Sequence, residues 1–312
     1  MIKHSLWAFL RKKSNYGEEN MDCNIRDICV IEQEAMKKHT TFRIGGPARL
    51  FAMPKNVEEI KQLIQYCREK RIRYMILGNG SNVLFSDDEF DGMVIQIGTA
   101  MGDIQIMGEH LYVGAGAILS KVANLAYDSG LSGMEFAAGI PGSIGGAIVM
   151  NAGAYGGEMK DIVEYVDILE ENGCVRRYAN KEMDFAYRHS IVDAGKIVIG
   201  VSLLLAYGDK LRIREKMQQF AEARRSKQPL EYGSAGSTFK RPEGYFAGKL
   251  IDDCGLRGYR VGGAMVSEKH CGFVINYEQA TCEDVLTLME KVREVVKEKY
   301  GVTLEPEVRI IR

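Results

Sequence analysis

The sequence is poor in the residue patterns from which metal centres and disulfide frameworks are built. Its seven cysteines include no CxxC pair, and no two of its five histidines stand at metal-ligand spacing. We therefore expect no metal site. An odd number of dispersed cysteines is typical of a reducing compartment rather than of a disulfide-bonded secreted domain.

The chain also lacks an excess of charge and a long apolar run. Lys and Arg number 41 and Asp and Glu number 42, for a net charge of -1, so there is no basic field to attract nucleic acid. No segment approaches the roughly 20 apolar residues of a membrane span, and the apolar run near the start is too short for a secretory signal. We expect a cytoplasmic globular protein without a nucleic-acid partner. Residues 1–30 are interpreted as a weakly ordered extension, with a peripheral amphipathic anchor as the alternative.

The first part of the chain has the order of a small α/β unit. Residues 41–52 are interpreted as a strand with a Gly-Gly turn, and strands are expected at 74–77 and 93–97. Between them, Asn56 and Glu59 have the spacing of a capping box at the start of a helix with one apolar face.

Short strand-like runs surround a glycine-rich region from about residue 98 to 208, with a helix expected at about 120–129. A charged helix is expected over 211–228. Another helix, with one apolar face, is expected over 281–300, and Gly301 directly after it is expected to end it. The last stretch, 302–311, is typical of an edge strand that returns to the first unit.

The most informative segment is AAGIPGSIGGAIVMNAGAYG, residues 137–156. Six of its residues are Gly, five are Ala and none is charged. Glycine allows a ligand to approach the main chain, and successive N–H groups form an anion site without lysine or arginine. A long ligand with a central diphosphate suits such a surface, so the segment indicates a dinucleotide cofactor.

A second glycine-containing loop, LGNGSNVL at residues 77–84, follows a predicted strand. It is not an NAD-type Rossmann fingerprint, because Val83 stands where the third glycine would be. Its N–H groups and the side chains of Ser81 and Asn82 can still meet phosphate oxygens, and a plain turn is the alternative.

Further along, candidate catalytic residues stand singly. Arg188, in FAYRHS, can stabilise a developing carboxylate charge, or it can form an ordinary surface salt bridge. Ser237, in GSAGSTFKRP, lacks the G-x-S-x-G elbow of a hydrolase, so it is either a proton donor or a turn cap. Glu307 and Arg309 are two residues apart, so on a strand both side chains face the same side. They are either an acid and a cation of a functional site or an ordinary solvent-exposed pair.

Together these motifs resemble one family. TFRIGG, LGNGSNVL, AGIPGSIGGAIVMNAGAYG, YRHS, GSAGSTFKRP and EPEVRII occur in the order seen in UDP-N-acetylenolpyruvoylglucosamine reductases. These flavin enzymes complete UDP-N-acetylmuramate in peptidoglycan synthesis. The resemblance extends from about Lys38 to Arg312. The segment from Arg188 to Lys196 is short and similar to the branch without a tyrosine-bearing lid.

The resemblance implies an α+β fold made of two domains. An FAD-binding domain of the PCMH (vanillyl-alcohol-oxidase) type would cover 31–208, as two α/β subdomains of about 31–97 and 98–208. The first would be rejoined by 302–312. A smaller α+β substrate-binding domain would cover 209–301.

It also implies a reaction and its residues. NADPH would reduce non-covalently bound FAD, and reduced flavin N5 would then give hydride to vinyl carbon C3 of the enolpyruvyl sugar nucleotide. Arg188 would stabilise the negative charge on C2 and its carboxylate, and Glu307, in protonated or ionised form, would hold or polarise the carboxylate region. Ser237 would protonate C2.

The remaining site residues are carried over by position. Cofactor contacts are implied at Arg43, Gly78, Asn79, Gly80, Ser81, Asn82, Gly139, Gly142, Ser143, Gly145, Gly146, Asn151 and Gly153. Substrate contacts are implied at Tyr187, Lys227, Lys240 and Arg309. Arg241 stands where some relatives have asparagine, so no uridine-diphosphate contact is carried over to it.

Two other functions are kept as alternatives. A flavin oxidase acting on a sugar alcohol would share the flavin loops, use oxygen in place of NADPH and lack the pairing of Ser237 with Glu307. A non-catalytic nucleotide-binding module would have a degenerate site. The presence of Arg188, Ser237 and Glu307 in one chain argues against such degeneration.

Overall fold

The structure is a computed structural model that describes residues 28–193 and 195–312. The expected N-terminal extension, residues 1–30, therefore falls almost entirely outside the described residues. Within the described part, none of the helices combines the length and apolar character needed to cross a bilayer. The same residues contain no cluster of His, Cys, Asp and Glu able to hold a metal ion.

A four-stranded sheet carrying one helix begins the described chain. Its elements and the neighbouring β4 are β1 (Val30–Ala35), β2 (Pro47–Ala52), α1 (Val57–Glu69), β3 (Tyr74–Leu77), β4 (Val83–Phe85) and β5 (Phe90–Gln96). The strand order is β1-β2-β5-β3, antiparallel between β1 and β2 and parallel elsewhere. Asn56 caps α1 by accepting the Glu59 amide at 2.9 Å, as predicted. The Glu59 carboxylate accepts from the amide of Lys55 at 2.8 Å, one residue earlier than a capping box places it.

The second unit is a five-stranded antiparallel sheet surrounded by short elements. The strand order is β12-β11-β13-β7-β6. Its elements are β6 (Ile104–Met107), β7 (His110–Gly114), α2 (Leu119–Asp128), β8 (Leu131–Ser132), α3 (Ile144–Val149), β9 (Gly153–Ala154), β10 (Gly157–Glu158), β11 (Val163–Leu169), β12 (Val175–Ala179), β13 (Ile197–Leu204) and β14 (Ala206–Tyr207). One continuous core joins both units, since Leu63 and Met93 of the first belong to the same fully buried cluster as Val113 and Val201.

The third part of the chain has its own core. Its elements are α4 (Lys210–Lys227), α5 (Ala247–Asp253), β15 (Arg260–Val261), β16 (Ala264–Val266), β17 (Val274–Asn276) and α6 (Cys282–Tyr300). Helix α6 begins with a capping box between Thr281 and Asp284 and ends at Gly301, whose φ is +70°. Phe42 and Leu84, from the first unit, are buried in this core.

The chain ends beside the first unit. The final strand, β18 (Arg309–Ile311), pairs in parallel with β4, so that Arg309 lies opposite Val83. Only these last residues of the predicted strand 302–311 form a ladder. Pro306 instead makes an isolated bridge with Phe239. The domain boundaries inferred from the sequence stay predictions.

Candidate active site between the glycine loops and the C-terminal unit

A cavity of about 1260 Å³ lies where the three parts of the chain meet. It is larger than the roughly 300–1,000 Å³ typical of a site for one small molecule, so it offers room for a long ligand and a second one beside it. Both glycine-rich loops, the segment 228–237 and two residues of the chain end contribute to its wall. The expected cofactor residues in that wall are Arg43, Gly78, Asn79, Gly80, Ser81, Asn82, Gly142, Ser143, Gly145, Gly146 and Gly153.

The two glycine-containing loops touch each other at one edge of the cavity. A Cβ built on Gly78 would lie 2.6 Å from Ser143 Oγ, so a side chain at this position would displace that hydroxyl. The Asn79 side-chain amide donates to the Pro141 carbonyl at 2.7 Å. Gly80 has a φ of +63°, and its Cβ would overlap the His39 carbonyl oxygen. The loops therefore form one surface that leaves main-chain groups open to a ligand.

The longer loop is held against the five-stranded sheet by its own backbone. The amides of Ile144 and Gly145 donate to the carbonyls of Ala117 and Ala115, both at 2.8 Å. Ser143 is the N-cap of α3, with its hydroxyl 3.5 Å from the Gly146 nitrogen. These bonds hold the loop in one conformation without a ligand.

Two expected cofactor residues lie outside the cavity wall. Asn151 is fully buried, and its side chain is used internally: the amide donates to Glu158 and to the Ala186 carbonyl, and the oxygen accepts from Lys160. A side-chain contact with a ligand would require breaking these bonds. Gly139 is exposed and packs against Arg224. Ligand contacts at both positions stay predictions.

Arg188 and Glu307 form an ion pair at the cavity, with Nε and Oε1 separated by 2.5 Å. Their side chains are 19% and 11% exposed. Burial raises the pKa of Glu307, while the positive charges of Arg188 and Lys240 act against that rise, and the net direction is upward. The site thus holds a cation beside a carboxyl group whose pKa burial raises.

Ser237 is placed beside this pair by the backbone. The amide of Glu307 donates to the Thr238 carbonyl at 2.9 Å, and the buried Thr238 hydroxyl accepts from the Val274 amide at 2.8 Å. Ser237 itself faces the cavity, and among the described residues no group hydrogen-bonds its hydroxyl. A serine hydroxyl is therefore free to meet a ligand next to a cation and a carboxyl.

Of the expected substrate residues, only Arg309 lies in the cavity wall. Lys227 is exposed at the end of α4, and the ammonium of Lys240 pairs with Glu305 at 3.3 Å. Tyr187 is 47% exposed. Its ring lies under the Arg188 guanidinium at 4.8 Å. Substrate contacts at these residues stay predictions.

Arg224 is a wall residue that sequence reasoning did not assign. It lies one helical turn before Lys227, and among the described residues no hydrogen bond or ion pair engages its guanidinium. Desolvation lowers its pKa, but an arginine stays charged in proteins. The only sequence signal was the basic cluster that ends the helix, which does not reveal which of its members turns inward.

Comparison with known proteins identifies two family domains. The FAD binding domain model matches residues 48–179, and the UDP-N-acetylenolpyruvoylglucosamine reductase C-terminal domain model matches residues 228–311. A reductase of that name from Caldanaerobacter subterraneus is 50% identical, with 89% of this chain and 92% of the relative covered. The reductase from Lachnoclostridium phytofermentans is also 50% identical, with 96% of this chain and 95% of the relative covered.

This chain belongs to the UDP-N-acetylenolpyruvoylglucosamine reductase family. A crystal structure of the UDP-N-acetylenolpyruvylglucosamine reductase from Thermus caldophilus agrees, with a TM-score of 0.80, 38% identity, and coverage of 91% of this chain and all of that one. The resemblance inferred from the motifs is confirmed. The expected combination of an FAD-binding domain with a reductase-specific C-terminal domain in a mixed α/β fold is confirmed as well.

The wall of the cavity fits the FAD expected of this reductase family. The cofactor's diphosphate needs N–H donors and close main-chain approach, and the backbone contacts of Gly80 leave no room for a side chain there. The cavity also runs on from these loops to the segment 72–77 and to residues 192, 193 and 195–198, and its volume has room for a dinucleotide. The family is one of FAD-dependent oxidoreductases, which confirms the expected cofactor and enzyme class.

Proposed function

We propose that the chain reduces UDP-N-acetylenolpyruvoylglucosamine to UDP-N-acetylmuramate with NADPH as hydride source, in the cytoplasm, during peptidoglycan precursor synthesis. The single observation that carries the proposal is the convergence of Arg188, Glu307 and the free hydroxyl of Ser237 on one cavity beside the glycine loops. Membership of the reductase family supports the same reaction.

The glycine loops at 78–82 and 142–146 would hold FAD, which would supply hydride transfer from NADPH to vinyl carbon C3 of the enolpyruvyl group. As C3 gains the electron pair, negative charge develops on C2 and its carboxylate. Arg188 is half of a largely buried pair, so its charge acts at low effective dielectric, where it stabilises that developing charge strongly. Glu307 in its neutral form donates a hydrogen bond to the substrate carboxylate.

Ser237 completes the addition by giving its proton to C2. The enolate carbon is basic enough to take a proton from a serine hydroxyl, and the serine regains one from water. Since the bond of the Glu307 amide to the Thr238 carbonyl fixes the relative position of donor and carboxyl, proton delivery occurs in a set geometry.

Arg224 supplies a phosphate contact for the sugar nucleotide. It is the cation of α4 that lines the cavity without an anionic partner among the described residues. Its neighbour Arg225 is exposed and paired with Glu222 at 2.7 Å. Arginine binds phosphate through several N–H groups at once, which suits it to this task.

The half-reactions of Ser237→Ala test the assignment of the proton donor. We expect reduction of the enzyme by NADPH to stay near normal, because the serine takes no part in it. Reoxidation by the enolpyruvyl sugar nucleotide should slow by about 10²–10⁴. Stopped-flow absorbance of the bound flavin measures both steps.

Ser226→Ala is the matched control for this test. Among the described residues, the Ser226 hydroxyl bonds only to carbonyls of its own helix, so both half-reactions should be unchanged. Equal losses in the two half-reactions of Ser237→Ala would refute the role of Ser237 as proton donor.

A further inference from the structure

The segment 41–43 joins the flavin loop to the loop that carries Ser237. On one side, the Thr41 amide donates to the Gly80 carbonyl at 3.0 Å. On the other, the Thr41 hydroxyl donates to the Ser234 carbonyl at 2.7 Å, and the Ser234 amide donates back to the Thr41 carbonyl at 3.1 Å. One threonine is thus bonded to both loops, through main chain and side chain.

Further contacts make this junction specific. The Asn276 side-chain amide donates to the carbonyls of Phe42 and Arg43 at 3.2 and 3.3 Å. A Cβ on Gly233 would lie 2.6 Å from the Phe42 carbonyl oxygen, so the two backbones can meet only at glycine. Phe42 is 1% exposed and packs in the core of the C-terminal unit.

We propose that Thr41 is a positioning residue, which sets the distance between the flavin loop and the proton donor Ser237. Its hydroxyl holds Ser234, and Ser237 follows in the same loop. Hydride and proton must reach adjacent carbons of one substrate, so a loop displaced by about 1 Å costs as much as a hundredfold in rate. This inference rests on the proposed function, because it concerns the delivery of the proton to C2.

Thr41→Val keeps the shape of the side chain and removes the donor. We expect FAD content and reduction by NADPH near the wild-type values, and reoxidation by the enolpyruvyl sugar nucleotide slowed about tenfold to a hundredfold. Thr41→Ser restores the hydroxyl and should recover most of the rate. The pH profile of the residual reoxidation should keep its wild-type shape, since the titrating groups remain.

Thr40→Val is the matched control. Thr40 is buried whereas Thr41 is partly exposed, and the Thr40 hydroxyl donates to the Ile44 carbonyl at 3.2 Å within its own turn. The Thr40 side chain makes no hydrogen bond to either loop among the described residues. We expect a comparable drop in melting temperature with both half-reactions unchanged. If Thr41→Val does not fold, Asn276→Ala opens the junction from its other side and should show the same selective loss.

Three results are decisive. Selective slowing in Thr41→Val, rescued by Thr41→Ser and absent in Thr40→Val, supports the proposal. Equal behaviour of Thr41→Val and Thr40→Val overturns it, as does slowing of both half-reactions together. Failure of the proposed function is distinguished by Ser237→Ala, which would then show no selective loss either.

Discussion

At the residue scale, opposing effects act on the pKa of the Glu307 carboxyl. Burial raises its pKa, and the charges of Arg188 and Lys240 lower it, with burial dominant. Because the pKa is raised in the fold, the contribution of this group to stability is complete below the ordinary carboxyl pKa. That contribution is lost as the pH rises through the raised value.

Glu307→Gln tests which form of the carboxyl acts. If the neutral form holds the substrate carboxylate, wild-type reoxidation falls as the pH rises through the raised pKa of Glu307. The glutamine variant should lack that fall and stay within about tenfold of wild type at the acid end. The pH dependence of reoxidation by the sugar nucleotide measures this. A variant inactive at every pH would show that the negative charge of Glu307 is required.

A phosphate contact at Arg224 makes a separate prediction. Arg224→Ala should raise the KM for the sugar nucleotide about tenfold to a hundredfold, since a hydrogen bond to a charged group contributes about 1.5–3 kcal/mol. Arg225→Ala, one position along the helix, removes an exposed charge and should leave the KM unchanged. Steady-state kinetics measure the KM of each variant, and equal effects of the two substitutions on the KM would contradict a phosphate contact at Arg224.

Single residues differ in how well the sequence predicts them. Arg188, Ser237 and Glu307 were selected by their motifs, and the structure brings them to one cavity. The inward turn of Arg224 could not be predicted, because α4 buries only Ile213 among its residues and offers no clear apolar face to orient the helix. In the structure the Arg224 side chain lies against Gly139.

At the scale of elements, the glycine loops depend on close contacts that only some glycines make. Gly80 and Gly108 both have a φ of +63°. A Cβ on Gly80 would overlap the His39 carbonyl, whereas one on Gly108 would meet nothing within 4 Å. The pair therefore separates the cost of a left-handed backbone from the cost of a steric overlap.

Gly80→Ala should lose FAD and unfold at a lower temperature than wild type, because the flavin loop must move away from His39. Gly108→Ala should cost only about 1–2 kcal/mol, the strain of a left-handed alanine, and keep its FAD. Flavin absorbance after gel filtration and thermal unfolding measure the two effects. Retention of FAD by Gly80→Ala would show that this loop does not shape the cofactor site.

Elements with strong end signals were predicted best. Helix α6 begins and ends where Thr281 and Gly301 indicated, and α2 lies within one residue of its predicted bounds. The short strands β4 and β15 were missed, because two or three residues carry no periodic pattern. Their pairing partners, not their composition, make them strands.

At the scale of the whole molecule, the site exists because distant segments converge. The bridge between Phe239 and Pro306 and the parallel pairing of β18 with β4 bring the chain end to the Ser237 loop and to the flavin loop. The motifs predicted the chemistry of each segment. The cavity that joins them comes from the way the cores pack, which spacing along the chain does not encode.

The most direct test of the proposed reductase activity is the visible spectrum of the purified protein under anaerobic conditions. We expect a yellow protein that bleaches when NADPH is added and recovers its colour only with UDP-N-acetylenolpyruvoylglucosamine, which would establish cofactor, donor and acceptor together. Colour that returns with oxygen but not with the sugar nucleotide would contradict the account and indicate an oxidase. A protein that stays colourless with added FAD would contradict the cofactor site itself.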